Sequence, residues 1–210
     1  MPTSRSWRRG CARRGEKENL THPLEAEYGL TADALLDAIQ SRFRLKVALE
    51  GAVAEVHLKR KIEALRASGA VNDFEEHDLN GHPDFTASPR GAMPELKIEC
   101  KNVRNDEYQT RATLVAYKVE VQKTRAARAD PSSRYYDVGY FDILAVCLGK
   151  KTGNWSDFLF VKADDLARHS QHPEKLAVMQ RVPLPNAGDL TPWYRTLQEV
   201  LSATVGEPEG

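Results

Sequence analysis

An α/β fold, with a central mixed β-sheet flanked by helices, is predicted by three features of the sequence. Apolar residues recur at helical spacing in two stretches before residue 70. The run "GYFDILAVCLG" is apolar on both faces, as suits a strand buried centrally in a covered sheet, and "TPWYRTLQEVLSATV" reads as a closing helix. The 210 residues, 41% of them hydrophobic, can bury a full core. That length fits one domain over residues 20–205, with a tail at 1–19 and another at 206–210.

The opening "MPTSRSWRRGCARRGEKEN" carries six basic residues against two acidic ones and almost nothing apolar. It cannot offset its own ordering entropy by burial and is expected to be disordered. A basic arm touching DNA phosphate, or residues outside the native start, are the other readings. Thr31 has the character of an N-cap for a helix through about Arg44, and "LKVALEGAVAEVHLKRKIEALRASG" predicts a longer helix ending at Gly69.

Asn80-Gly81 signals a two-residue hairpin between two short strands, and "SPRGAMP" a further turn before the strand "ELKIECKN". Residues 106–129 are expected to be mostly helical, although "YKVEVQKT" alternates like a strand. After the central apolar run, "SDFLFVK" predicts a strand, "ADDLARH" a short helix and "VMQRVPLP" a weak strand. The closing helix would open at Thr191 with Pro192 in its first position.

Lysine plus arginine balance aspartate plus glutamate at 30 each, so any nucleic-acid site must be a local patch. Cys11, Cys100 and Cys147 are odd in number and widely spaced, which argues against a disulfide framework or zinc ribbon and for reduced core thiols. No stretch has the length of a membrane span or the character of a secretory signal, and a cytoplasmic location is expected.

The strand "ELKIECKN" holds the chemistry. Leu96, Ile98 and Cys100 share one face; Glu95, Lys97, Glu99 and Lys101 share the other. Pro83-Asp84 lies on the preceding strand, and the turn between can bring Asp84 beside Glu99, with Lys101 one pleat further on. Two carboxylates and a lysine suit magnesium, a hard ion that takes one or two protein carboxylates and leaves its other positions to water and phosphate. In the long helix Ala48, Ala52, Glu55, Leu58, Ile62 and Leu65 recur at three- and four-residue steps, so Glu55 falls within an apolar stripe, where a carboxylate is expensive without a cation.

The bland alternative is a solvated strand face of weak ion pairs, which accounts for the strand charges but not for Glu55. Glu95-Leu96-Lys97 repeats the E-x-K spacing and is the register alternative. His57, His77 and His82 lack the paired spacing of a zinc site. Asp142 reads as a polar strand start, Trp155 and Trp193 as core or rim aromatics.

These residues resemble the PD-(D/E)xK nuclease superfamily, of restriction-endonuclease-like fold, over roughly residues 47–162. The resemblance implies a Mg2+-dependent endodeoxyribonuclease, with Mn2+ able to substitute, that hydrolyses phosphodiesters through a metal-activated water. Asp84 and Glu99 would be metal ligands, the Cys100 carbonyl a third, Glu55 an accessory ligand, and Lys101 the residue that orients or activates the water. By a looser correspondence "VQKTR" would line the site or hold phosphate.

Lys118, Lys123, Arg125, Arg128 and Arg134, against two acidic residues and followed by Tyr135 and Tyr136, make a candidate DNA-backbone patch; Gln122 joins it, and a solvated helix face is the alternative. Double-stranded DNA is the expected partner, restriction or phage defence the expected setting, and a homodimer the expected state, since one site cuts one strand. A repair nuclease, a Holliday-junction resolvase, or a catalytically silent DNA-binding or assembly subunit are the alternatives.

Overall fold

A computed structural model describes residues 22–79, 81–91, 95–111, 113–123 and 131–206. The chain divides into two compact units, one ending at Lys46 and one beginning at Val47.

In the first unit, α1 (Pro23–Tyr28) is capped by His22 and Glu25 and ended by Gly29 in the left-handed region. Thr31 caps α2 (Ala32–Gln40) as expected, its hydroxyl accepting from the Ala34 N–H at 3.3 Å, although the helix stops at Gln40 rather than Arg44. Neither helix has a buried residue.

The long helix α3 (Phe43–Ala67) ends before Gly69, whose positive φ of 78° completes the stop. It buries Ala54, Leu58 and Ile62, with Leu65 packed alongside. Ala48 and Ala52, expected in the buried stripe, are exposed; Ala54 takes the buried place on the turn before Leu58, and Glu55 occupies the stripe's half-buried edge.

Seven strands among the described residues form one mixed sheet. β1 (Val71–Glu76) pairs antiparallel with β2 (Phe85–Pro89), and β2 with the 15-residue β3 (Leu96–Thr110). The β1–β2 ladder stops at Glu76 opposite Phe85, and the His77 N–H to Asp84 carbonyl bond closes a loop longer than the two-residue turn expected. Gly81, at φ 92°, lies in that loop, and Asn80 lies outside the described residues.

The first half of β3 runs between β2 and β5 (Ile143–Cys147), parallel to β5, and β5 pairs antiparallel with β6 (Phe158–Lys162). The second half of β3 pairs with β4 (Thr113–Glu120), which pairs with β7 (Met179–Val182). The helix expected over 106–129 is therefore strand over its described part to Glu120; residues 124–130 lie outside the described residues. Cross-strand charge pairs explain the misleading pattern: Arg104 meets Glu120, and Lys118 reaches Asp106 at 3.0 Å, while Arg104 also bonds Asp106 along its own strand.

All five residues of β5 are buried, as the doubly apolar run requires. The short α4 (Gly149–Thr152) and the strand β6 follow, while "ADDLARH" forms only a single 3-10 turn at Ala163–Asp165. The closing helix α5 (Leu197–Val205) starts five residues later than expected. Thr196, not Thr191, is its cap: the Thr196 hydroxyl accepts from the Glu199 N–H, and the Glu199 carboxylate accepts from the Thr196 N–H.

Helices α3 and α5 pack with Phe85, Ile98, Cys100, Ile143, Ala145 and Phe160 in one core. A second core joins Val103, Val119, Leu144, Val146 and Val161 to Tyr136, Phe141, Leu166 and Leu176, which lie on connecting segments. Cys100 and Cys147 are buried free thiols, and Trp155 and Trp193 rim the two cores. No described helix is long and apolar enough to cross a membrane.

Candidate active site

Strand pairing sets the site. Because Phe85 faces Ile98, the preceding Asp84 comes opposite Glu99, and its Oδ2 accepts the Cys100 N–H at 2.7 Å. Side chains alternate, so Ile98 and Cys100 enter the helix-covered core while Glu99 and Lys101 point to the other face. That face is not a wet one at this point. Glu99 is only 3% exposed, and its Oε1 is bonded by both Lys101 and the Tyr136 hydroxyl, the latter at 2.5 Å. Lys97 and Glu95 are exposed, and Glu95 bonds the Ser88 hydroxyl at 3.1 Å. The solvated-face reading thus holds for Glu95 and Lys97 and fails at Glu99.

Glu55, from α3, belongs to the same charge cluster. Desolvation raises its pKa; Lys101 opposes the rise, and Glu99 adds to it. Asp84 is pushed up to about 7 by burial and by Glu99, against the pull of Lys101 and the Cys100 N–H. Burial works against the Lys101 ammonium, but the Glu99 carboxylate, with Tyr136 and Asp84, outweighs it and holds the group above the ordinary lysine range. The structure therefore brings together Glu55, Asp84, Glu99 and Lys101, which lie up to 46 residues apart in sequence.

Among the described residues no group of three or more His, Cys, Asp or Glu side chains is gathered to hold a metal ion. The donor set suits a cation that asks for fewer protein ligands. Asp84 and Glu99 are neighbouring carboxylates, and Glu99 Oε2 is buried with no hydrogen-bond partner among the described residues. An orphaned, desolvated carboxylate oxygen is costly, and a hard divalent ion taking one or two carboxylates is a group that would satisfy it.

The backbone patch is only partly described. Arg125 and Arg128 lie outside the described residues. Lys123 places its ammonium 4.9 Å from the Tyr140 ring and 5.8 Å from the Tyr136 ring, beside the Glu99 pocket. Gln122 bonds Glu120, and Arg134 donates to the Lys123 carbonyl at 3.2 Å, so both brace the segment. Lys118 is spent on Asp106 and lies over Tyr108 at 4.8 Å. Elsewhere His77 bonds Thr86 at 3.1 Å, and Asp142 accepts the Lys97 N–H at 2.7 Å as a structural strand-start residue.

The sequence places Tyr136 at the end of a surface patch, whereas the residue is buried against Glu99. The available signal was alternation: Tyr135, its neighbour, faces outward and stacks on His169 with ring centroids 4.6 Å apart.

The charge cluster has a measurable cost. In the metal-free protein Glu55→Gln removes a desolvated carboxylate from beside Glu99 and Asp84. The variant is expected to melt a few degrees above wild type in chelator and to gain less from added Mg2+ or Mn2+. A lower melting temperature together with normal cleavage would make Glu55 a structural ion-pair partner of Lys101.

The chain matches no protein-family model, and no curated protein is similar to it. The solved structure of the bacterial homing endonuclease I-Ssp6803I is similar over 69% of this chain and 83% of its own, with 14% identity and a TM-score of 0.43. A likeness of that size carries no argument about function.

Proposed function

We propose that this chain is a Mg2+-dependent endodeoxyribonuclease of the PD-(D/E)xK kind, cutting double-stranded DNA, with restriction or phage defence as its setting and a symmetric dimer as its working state. The observation that carries the reading is the placement of Asp84 opposite Glu99, with Lys101 bonded to one Glu99 oxygen and the other buried without a partner among the described residues. Asp84, Glu99 and the Cys100 carbonyl would hold the ion, with Glu55 accessory. When bound, a divalent cation supplies Lewis acidity to the phosphate and makes a water more acidic.

The chain's own groups do the rest. Lys101 is held as an ammonium, so it donates hydrogen bonds: it orients the water and offsets charge building on the phosphate, and it does not accept the proton. Burial of Glu99 against Tyr136 keeps bulk water from competing for its oxygens.

Plasmid and oligonucleotide duplexes incubated with Mg2+, Mn2+ or chelator test this reading. Cleavage is expected with either metal, none in chelator, and a loss on the order of 10²–10³-fold in Lys101→Ala, the effect of losing one donor to developing charge. Cleavage that survives chelation and the Lys101 change removes the assignment.

Lys123 and Arg125 give a second handle. Replacing both with glutamine is expected to weaken DNA binding similarly across sequences and to reduce the slope of log affinity against log salt by about 1 to 2. An unchanged slope would return "VQKTR" to a solvated surface.

A further inference from the structure

Tyr136 is placed by more than its own hydroxyl. The 3-10 turn Pro131–Arg134 delivers the chain to a bridge between Tyr135 and Gln122, and alternation then turns Tyr135 outward and Tyr136 inward. The Tyr136 carbonyl accepts the Leu176 N–H at 2.9 Å, and its ring meets Phe141 edge-on at 5.5 Å. The ring is therefore fixed at both ends, and it is 4% exposed. Its hydroxyl donates to Glu99 Oε1 at 2.5 Å, the oxygen that Lys101 also bonds, while Oε2 has no partner among the described residues. Two donors converge on one oxygen of a carboxylate that sits opposite a second carboxylate.

We infer that Tyr136 is a positioning residue: with Lys101 it holds Glu99 by Oε1 and so presents Oε2, beside Asp84, to a divalent cation. This rests on the proposed metal-dependent reading and adds to it a residue outside the Asp84, Glu99 and Lys101 motif. The physical requirement is orientation. A glutamate has three side-chain torsions, and a ligand free to turn loses affinity with each rotamer it can reach; a rigid phenol fixed at both ends removes that freedom. A tyrosine that merely fills the core would also want its hydroxyl bonded, so the deciding readout must be metal binding rather than stability.

The test is calorimetric titration of the full chain with Mn2+ in the absence of DNA, for wild type, Tyr136→Phe, Lys101→Met and Glu99→Gln. Phenylalanine keeps the ring and the core volume, and removes only the bond. Tyr136→Phe is expected to bind Mn2+ about 10- to 100-fold more weakly, the usual effect of losing a group that orients a ligand. Lys101→Met, in which Tyr136 alone holds Oε1, is expected to bind within about tenfold of wild type. Wild-type affinity in Tyr136→Phe overturns the inference, and so does loss of binding in Lys101→Met, which stands whether or not the Tyr136 variant folds. Equal binding by wild type and Glu99→Gln, or none by wild type, overturns the metal-dependent reading itself.

Discussion

Asp84→Ala and Glu99→Gln are expected to lower divalent-dependent DNA cleavage by a factor on the order of 10³ or more while the fold persists. The size follows from the several kcal/mol of transition-state stabilisation that a catalytic ion supplies, each 1.36 kcal/mol or so being a factor of ten. Asp84 immediately precedes β2 and lies outside both cores, so its truncation removes a ligand and an acceptor for the Cys100 N–H but little core volume. Glu99→Gln keeps the volume beside Tyr136 and an oxygen for its hydroxyl. Glu95→Gln is the matched control: Glu95 is exposed and bonded to Ser88, so its loss is expected to leave cleavage unchanged. Wild-type rates in either ligand variant sink the site assignment, and inactivation by Glu95→Gln moves the E-x-K register by one pair of pleats.

The second large effect is on stability and its dependence on pH. Asp84 titrates near 7 in the folded chain against an ordinary value of 3.8, so between those values the native state holds a proton that the unfolded state has released. The contribution of Asp84 to the stability of the metal-free protein therefore falls as pH rises from about 4 to about 7 and levels off above. Asp84→Asn keeps an oxygen for the Cys100 N–H and has no charge to bury. In chelator it is expected to match wild type near pH 4 and to be more stable at pH 8, by on the order of 3 kcal/mol. Urea unfolding at the two pH values measures this. A wild-type curve that rises from pH 4 to pH 8 in parallel with the variant would mean that Asp84 is not desolvated beside Glu99.

The sequence is legible where a single physical demand dominates. "ILAVCL" must be a central strand because no side chain in it is polar on either face, and β5 is buried throughout. Asp84 and Glu99 could be paired in advance because antiparallel neighbours joined by one turn leave little choice of register. Legibility fails where distant groups answer a local anomaly. The charges over 104–120 look helical until it is seen that Arg104 bonds Glu120 across strands and that Lys151, on α4, bonds Glu107. The "TLQE" capping box at Thr196 was readable, but Thr191-Pro192 was the more conspicuous start signal. The Glu55 stripe was correct at Leu58 and Ile62 and one residue off on the turn before them, where Ala54 rather than Glu55 is buried. Tyr136 had no motif to announce it: its partner, Glu99, is 37 residues away.

The placement of a cation between Asp84 and Glu99 is tested most directly by X-ray diffraction from Mn2+-soaked crystals, recorded above the manganese absorption edge. An anomalous peak about 2.2 Å from Glu99 Oε2 and within bonding distance of Asp84 is the expected result. A peak elsewhere, or none in crystals whose redissolved protein still cleaves DNA with Mn2+, contradicts it.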